Sequence, residues 1–290
     1  MFRVLPLISD FSISPAASST FAIMEPLMQM TAAERREALG FRDGISGGLM
    51  SRTLMHDEMA LLLAQTPADA RTDELMTAII AKNVLGKPTL SSRKKSLSHL
   101  RELYGLDPSR PLFRVFRRLA TLDPQSLPVL ALICVYCRDP QLRASFTLIR
   151  ALKVGEHLVR ERMETLMESA FPGRFSAAVK RSLAQNVNAC WTAAGHLEGR
   201  SKKVRTLPRP RAVTAAYAML AGYLSGLRGQ RLLYSEYGDL VCSEPALIPG
   251  QLSLASSRGL LGFKHAGGVV ELDFSPLLTD HERALADVTH

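Results

Sequence analysis

The residues able to do chemistry in this chain are few and poorly grouped. Cys134-Val-Tyr-Cys137 has the spacing of half a zinc site. No second pair of ligands follows at a workable distance, and a CxxC step inside an apolar run packs a core more readily than it holds a metal. Leu85-Gly-Lys-Pro-Thr89 echoes the end of a phosphate-binding loop. Ala81 stands where the loop needs its first glycine, however, and Pro88 where it needs Ser or Thr. His56-Asp-Glu58 lacks the second histidine of a helical zinc-protease motif. Asp239, Glu244, Glu271 and Asp273 are carboxylates of the kind nucleases use, without a spacing that groups them. His99 lies in a basic stretch, where phosphate contact or solvation outranks catalysis. The reading gives no catalytic residue, no metal ligand and no cofactor site, and the chain is expected to be non-enzymatic.

Charge carries more information than motif. The 290 residues have a formal net charge of +9, unevenly placed. Residues 82 to 118 hold ten Lys and Arg against Glu102 and Asp107, and residues 174 to 211 hold nine against Glu198 alone. The remainder is acidic. Two basic islands on an acidic chain suit a polyanionic partner, which nucleic acid supplies most readily. In the first island Ser91 or Ser92 is expected to cap a helix running to Tyr104. That puts Arg93, Lys94 and Lys95 in its first turn, where the helix dipole disfavours cations and favours a bound phosphate. With Arg101 they are the phosphate-contact candidates of this island; the competing reading is a solvated charged face.

The second island lies in the stretch around which the chain is organised, Arg174 to Gly226. From Ser176, a plausible N-cap, Val179, Leu183, Val187, Cys190, Trp191 and Ala194 repeat at helical spacing, and the other face carries Arg181, Gln185, Asn188 and Thr192. A Lys/Arg/Gly/Pro-rich segment and a further apolar helix follow. A helix presenting Arg, Gln and Asn before a basic hairpin is the pattern of a winged helix-turn-helix. Arg181, Gln185 and Asn188 would then face base edges in the major groove, with Lys202, Lys203 and Arg205 on phosphates. An ordinary amphipathic helix with a basic surface loop is the plainer alternative.

The elements that must position these residues are mostly helical. Thr31-Ala-Ala-Glu34 matches a capping box opening a helix to Leu39. Long helices are expected at Leu49 to Gln65 and Asp69 to Val84. Leu112 to Leu122 should be amphipathic, with Arg114, Arg117 and Arg118 outward. The most apolar helix, Leu127 to Cys137, should be central to the core. Asp139-Pro opens another helix, and Gly155 to Ala170 continues as a helix of alternating charge. Beyond Gly226, Leu232 to Cys242 could include a strand, and Leu252 to Leu261 is ambiguous between helix and strand. Leu261 to Phe274 reads as a β-hairpin turning at Ala266-Gly267-Gly268. A helix ending at Arg258-Gly259 before such a hairpin could form a second winged module, but its charge is not basic, and a structural or protein-contact role is expected. The fold class is therefore mainly α: a multi-helical bundle containing a winged helix-turn-helix-like module, with a small hairpin-containing C-terminal part. The expected division is an unstructured arm at 1–20, a helical domain at 21–173, the DNA-binding module at 174–226 and a small α/β region at 227–290.

Four cysteines in a chain of this length suit a reducing compartment rather than a disulfide framework. The first residues lack a signal-peptide pattern, and the apolar run at Leu127 falls well short of the ~20 residues a membrane helix needs. A cytoplasmic protein with no membrane partner is expected.

The order of features resembles the BrxA family of BREX phage-defence systems. The likeness rests on Ile45-Ser-Gly-Gly-Leu-Met-Ser-Arg-Thr-Leu54 before a helix and on Lys82-Asn-Val-Leu-Gly-Lys-Pro-Thr-Leu-Ser-Ser-Arg-Lys-Lys-Ser-Leu97. It continues through the apolar helix with Arg138-Asp-Pro140 and the helix-plus-wing at Ser176 to Arg211. It spans about residues 45 to 225 as an order of elements. The N-terminal arm and the residues after Gly226 depart from it. The resemblance implies a small, mostly helical, non-enzymatic component that binds double-stranded DNA, with other defence-system proteins as further partners. Two other readings stay open: an adaptor or scaffold whose basic islands serve acidic proteins, and a winged-helix transcriptional regulator.

Overall fold

The computed structural model describes residues 29–45, 47–242 and 244–287; the arm at 1–20 and the first residues of the helical domain, 21–28, lie outside them. Helix α1 (Ala32–Leu39) begins on the capping box, with the Thr31 hydroxyl accepting from the Glu34 amide at 3.2 Å. The Glu34 carboxylate in turn accepts from the Thr31 amide at 2.7 Å. The long helix expected over Leu49 to Gln65 is two pieces, α2 (Gly48–Ser51) and α3 (His56–Ala64), separated by extended Arg52 and left-handed Met55 at φ 50°. Tertiary partners compensate the break. Tyr104 donates its hydroxyl to the Leu54 carbonyl at 2.6 Å, while Ser182 and Asn186 donate to the Met50 and Leu49 carbonyls. Periodicity cannot register bonds made from fifty or more residues away.

Helix α4 (Thr72–Ile80) is followed by α5 (Leu90–Tyr104), which starts earlier than expected. Thr89 is its N-cap and Ser92 closes the box, so Arg93 to Lys95 fall beyond the first three positions, away from the bare amides. After α6 (Pro111–Leu122) comes α7 (Leu127–Tyr136), buried at every residue from Leu130 on, as its composition demands. Helix α8 (Pro140–Ala151) is capped by Asp139, which accepts from the amides of Gln141 and Leu142 at 2.8 and 3.0 Å.

Where one helix from Gly155 to Ala170 was expected, there is strand β1 (His157–Leu158) and then α9 (Arg160–Ala170). The reason lies downstream. Helix α10 (Ala177–Ala193) leads into an antiparallel hairpin, β2 (Leu197–Glu198) and β3 (Lys203–Arg205), and β3 recruits β1. The strand order is β1-β3-β2, with His157 opposite Val204 and Leu197 opposite Arg205. Arg205 also accepts from Gly155 and donates to Glu156 through its backbone, both at 2.9 Å.

Helix α11 (Ala212–Leu224) is buried at every residue from Ala212 to Gly222 and packs against α6 and α7; the Tyr217 hydroxyl reaches the Leu112 carbonyl at 2.8 Å. The segment Leu232 to Cys242 holds no strand among its described residues but two helical turns, α12 (Gln230–Leu233) and α13 (Glu236–Asp239). The ambiguous stretch resolves as helix α14 (Ile248–Ser257). The C-terminal hairpin is β4 (Gly262–Ala266) and β5 (Val269–Asp273), with Gly267 and Gly268 both at positive φ in a two-residue turn. Helix α15 (Asp280–Asp287) returns to α1, and Arg114 meets Glu282 at 2.5 Å. Buried apolar residues from Leu39 to Ala286 form one continuous cluster. Among the described residues, no helix is long and apolar enough to cross a membrane.

Candidate nucleic-acid interface

Packing fixes the orientation of α10. Trp191 stacks on Phe146 of α8 with ring centroids 5.0 Å apart, and its indole N–H donates to Ser145 Oγ at 2.7 Å. Leu183, Ala184, Val187 and Cys190 share that buried side. Ser182 and Asn186 hold α2 along one flank through their bonds to Met50 and Leu49. The surface left in the N-terminal half of α10 carries Arg181 and Gln185, both exposed and without a side-chain partner among the described residues. They lie one turn apart on a single face, as base-reading side chains must.

Asn188 does not join them. It is 4% exposed, and its Oδ1 is buried without a hydrogen-bond partner among the described residues. Asn188 lies two turns beyond Arg181 on nearly the same stripe, so burial of the C-terminal half of the helix, where Val187, Cys190 and Trp191 are also buried, keeps it from a base edge.

At the other end of α10 the hairpin presents its turn, Gly199 to Lys202. Gly199 sits at φ +89°, and a Cβ there would collide with the Lys202 carbonyl oxygen; only glycine closes this turn without strain. Lys202 is exposed and so is Arg200, which sequence reasoning passed over in favour of the lysine pair. Lys203 is half-buried, its Nζ donates to the Gly199 carbonyl at 2.7 Å, and burial lowers its pKa. It braces the turn.

Arg205 is a correction. It is 3% exposed, its guanidinium donating to the His196 carbonyl at 3.0 Å, to His196 Nδ1 at 3.2 Å and to the Thr206 carbonyl. His196 Nε2 faces the Leu240 carbonyl at 2.9 Å, so Nε2 carries the proton and Nδ1 accepts from Arg205. Burial pushes the imidazole pKa down to about 3, overriding the Leu240 bond, with the Arg205 charge acting in the same direction. A neutral histidine and a buried arginine thus form the root of the hairpin rather than its tip.

The first island divides the same way. Arg93 donates to the Ile80 carbonyl at 3.1 Å, finishing α4 instead of facing solvent. Lys87 pairs with Glu58 at 3.0 Å and Arg110 with Asp107 at 3.1 Å. Arg117, expected outward, is 4% exposed and donates to the Ala70 and Pro67 carbonyls; Arg118 donates to Pro276. Lys94, Lys95 and Arg101 remain exposed without a side-chain partner among the described residues. Lys95 is on the side of α5 nearer α2. There His99 is held below the usual imidazole value by burial and then by the charges of Arg52 and Lys95, against the pull of Glu102. Arg52, exposed at the end of α2 and missed in the sequence, thus places a cation between the two islands.

Carboxylates limit this surface. The groove between α9 and α10 is lined by Glu161, Glu164 and Glu168 as well as Lys180 and Arg181. Glu168 takes Lys180 at 2.6 Å and Glu164 takes Arg160 at 2.7 Å. Asp239, Glu271 and Asp273 are occupied separately, by Arg150, Lys264 and Ser275. Cys134 and Cys137 pack in the core, and burial raises the Cys134 thiol to about 11. No known protein family, curated protein or solved structure matches this chain.

Proposed function

We propose that the chain is a non-enzymatic double-stranded DNA-binding protein, with α8 to β3 acting as a winged helix-turn-helix. The observation that carries the reading is a combination at one place: a helix pair followed by an antiparallel hairpin, with unpaired Arg181 and Gln185 on the second helix and unpaired Arg200 and Lys202 at the hairpin turn. Helix α10 enters the major groove by its N-terminal half, the hairpin turn reaches a flanking phosphate, and Arg52 and Lys95 extend the positive surface on the α2 side. Arg205 and Asn188 support this surface without touching DNA. The resemblance in element order to BrxA proteins supports a further part of the proposal, service in an antiphage defence complex.

Fluorescence anisotropy with random duplex DNA tests the reading. Charge reversal by Arg181→Glu should weaken binding by roughly tenfold or more, since two exposed partners separated by a few ångströms change from attraction to repulsion. An unchanged affinity in a folded Arg181→Glu protein removes α10 from the interface.

A further inference from the structure

A second group of cations, apart from the α10 face, lines a groove along α5. A cavity of about 540 Å³ runs along that helix and past Gly105. A second, about 350 Å³, continues it toward α1, and Glu37, Arg42, Arg110 and Arg138 are common to both. Along the combined groove the acids are largely spent. Arg110 is neutralised by Asp107 and Glu37, and Asp43 is taken by Arg36 and Arg143. Glu102 also lines the wall, its Oε2 buried without a hydrogen-bond partner among the described residues. Arg42, Lys94, Arg101 and Arg138 face no carboxylate at ion-pair distance among the described residues.

Arg138 sits at the floor, 7% exposed. Its guanidinium donates to the carbonyls of Gly40, Leu103, Arg101 and Glu102, closing the C-terminus of α5. Gly105, at φ +86°, leaves room for it: a Cβ there would stand 3.2 Å from Nη1. Those carbonyls spread the charge but cannot cancel it. Burial lowers the Arg138 pKa, and Arg42 and Arg110, which line the same groove, act in the same direction. Arg110 is already offset by its two carboxylates, so Arg42 and Arg138 are the neighbouring cations whose repulsion an entering anion would relieve.

We propose that this groove is a binding site for a small ligand carrying two or more linked phosphate groups. Lys94 and Arg101 stand two helical turns apart, about 10 Å along α5, too far for one phosphate to bridge. Arg42 faces them from the 40–44 loop. The combined volume lies within the range of small-molecule sites. A duplex backbone meets convex, exposed cations; the recessed floor at Arg138 favours a compact anion that can enter.

Titration calorimetry of the full chain with inorganic tripolyphosphate, at about 0.1 M salt, tests the assignment. Binding is expected, weakened by roughly tenfold or more in the Arg42→Gln/Arg101→Gln double variant and unchanged in Arg181→Gln on the α10 face. The single variant Lys94→Gln, fully on the surface, gives the same direction if the double variant does not fold. A nucleoside triphosphate run in parallel separates recognition of the phosphates alone from recognition of a whole nucleotide, and either supports the site. No binding at millimolar tripolyphosphate, equal binding by the folded variants, or displacement of tripolyphosphate by duplex DNA would each overturn it. The last result would assign the groove to the DNA surface.

Discussion

Acid should loosen the root of the hairpin through a single residue, His196. In the folded chain its pKa is about 3, against 6.5 for an ordinary imidazole, because burial disfavours the cation and Arg205 stands beside Nδ1. The unfolded chain therefore binds a proton as the pH falls below 6.5, while the folded chain does not. Stability is fully present above that value and declines until the pH reaches the folded pKa. Each pH unit in that window is worth about 1.4 kcal/mol, so the contribution lost is about 2 kcal/mol at pH 5, with a ceiling of about 5 kcal/mol near pH 3. Carboxylates add their own acid sensitivity: the Arg36 hydrogen bond, for one, holds Asp43 low. A second protein removes that background. His196→Gln keeps a donor for the Leu240 carbonyl but cannot titrate. Urea unfolding of both proteins at about pH 7.5 and about pH 5 should show the wild type losing about 2 kcal/mol more than the variant over that interval. Parallel losses would refute the reasoning, because they would mean that His196 titrates alike in both states.

Four residues separate packing from contact. Gln185→Ala should weaken binding to a preferred duplex by about 1–3 kcal/mol, the worth of a base-edge contact, whereas Asn188→Ala should leave affinity within about twofold in the same anisotropy assay. Gly199→Ala places a side chain in a left-handed position against the Lys202 carbonyl. It should cost about 1–3 kcal/mol in unfolding free energy and reduce DNA affinity along with it. Ser145→Ala leaves the Trp191 indole N–H buried without an acceptor. Unfolding followed by the emission of this single tryptophan should show a loss of about 1–3 kcal/mol; an unchanged midpoint would show that the bond is replaced.

How much was legible from the residues depended on how local the cause was. The Thr31–Glu34 box, the apolar helix at Leu127 and the two-glycine hairpin turn are set by neighbours in sequence, and all three are present. The break between α2 and α3 depends on Tyr104, Ser182 and Asn186, and β1 depends on β3 nearly fifty residues later. No period within a window of ten records such partners. For the candidate site, counting charges could not tell which cations the fold keeps for its own carbonyls. Arginine was the residue most often misjudged: Arg93, Arg117 and Arg205 use their guanidinium groups to close carbonyls inside the fold. Lysine, a point charge with strong hydration, stayed outside more often, as Lys94, Lys95 and Lys202 do.

Salt dependence tests the DNA-binding proposal most directly. Anisotropy of the wild type and of Arg200→Gln/Lys202→Gln should be measured on random duplex from about 50 to 300 mM salt. The account predicts wild-type binding that weakens steeply with salt, and a log–log slope shallower by about 1.8 in the variant, for two lost phosphate contacts. Absence of binding at the lowest salt, or equal slopes for the two proteins, would contradict it.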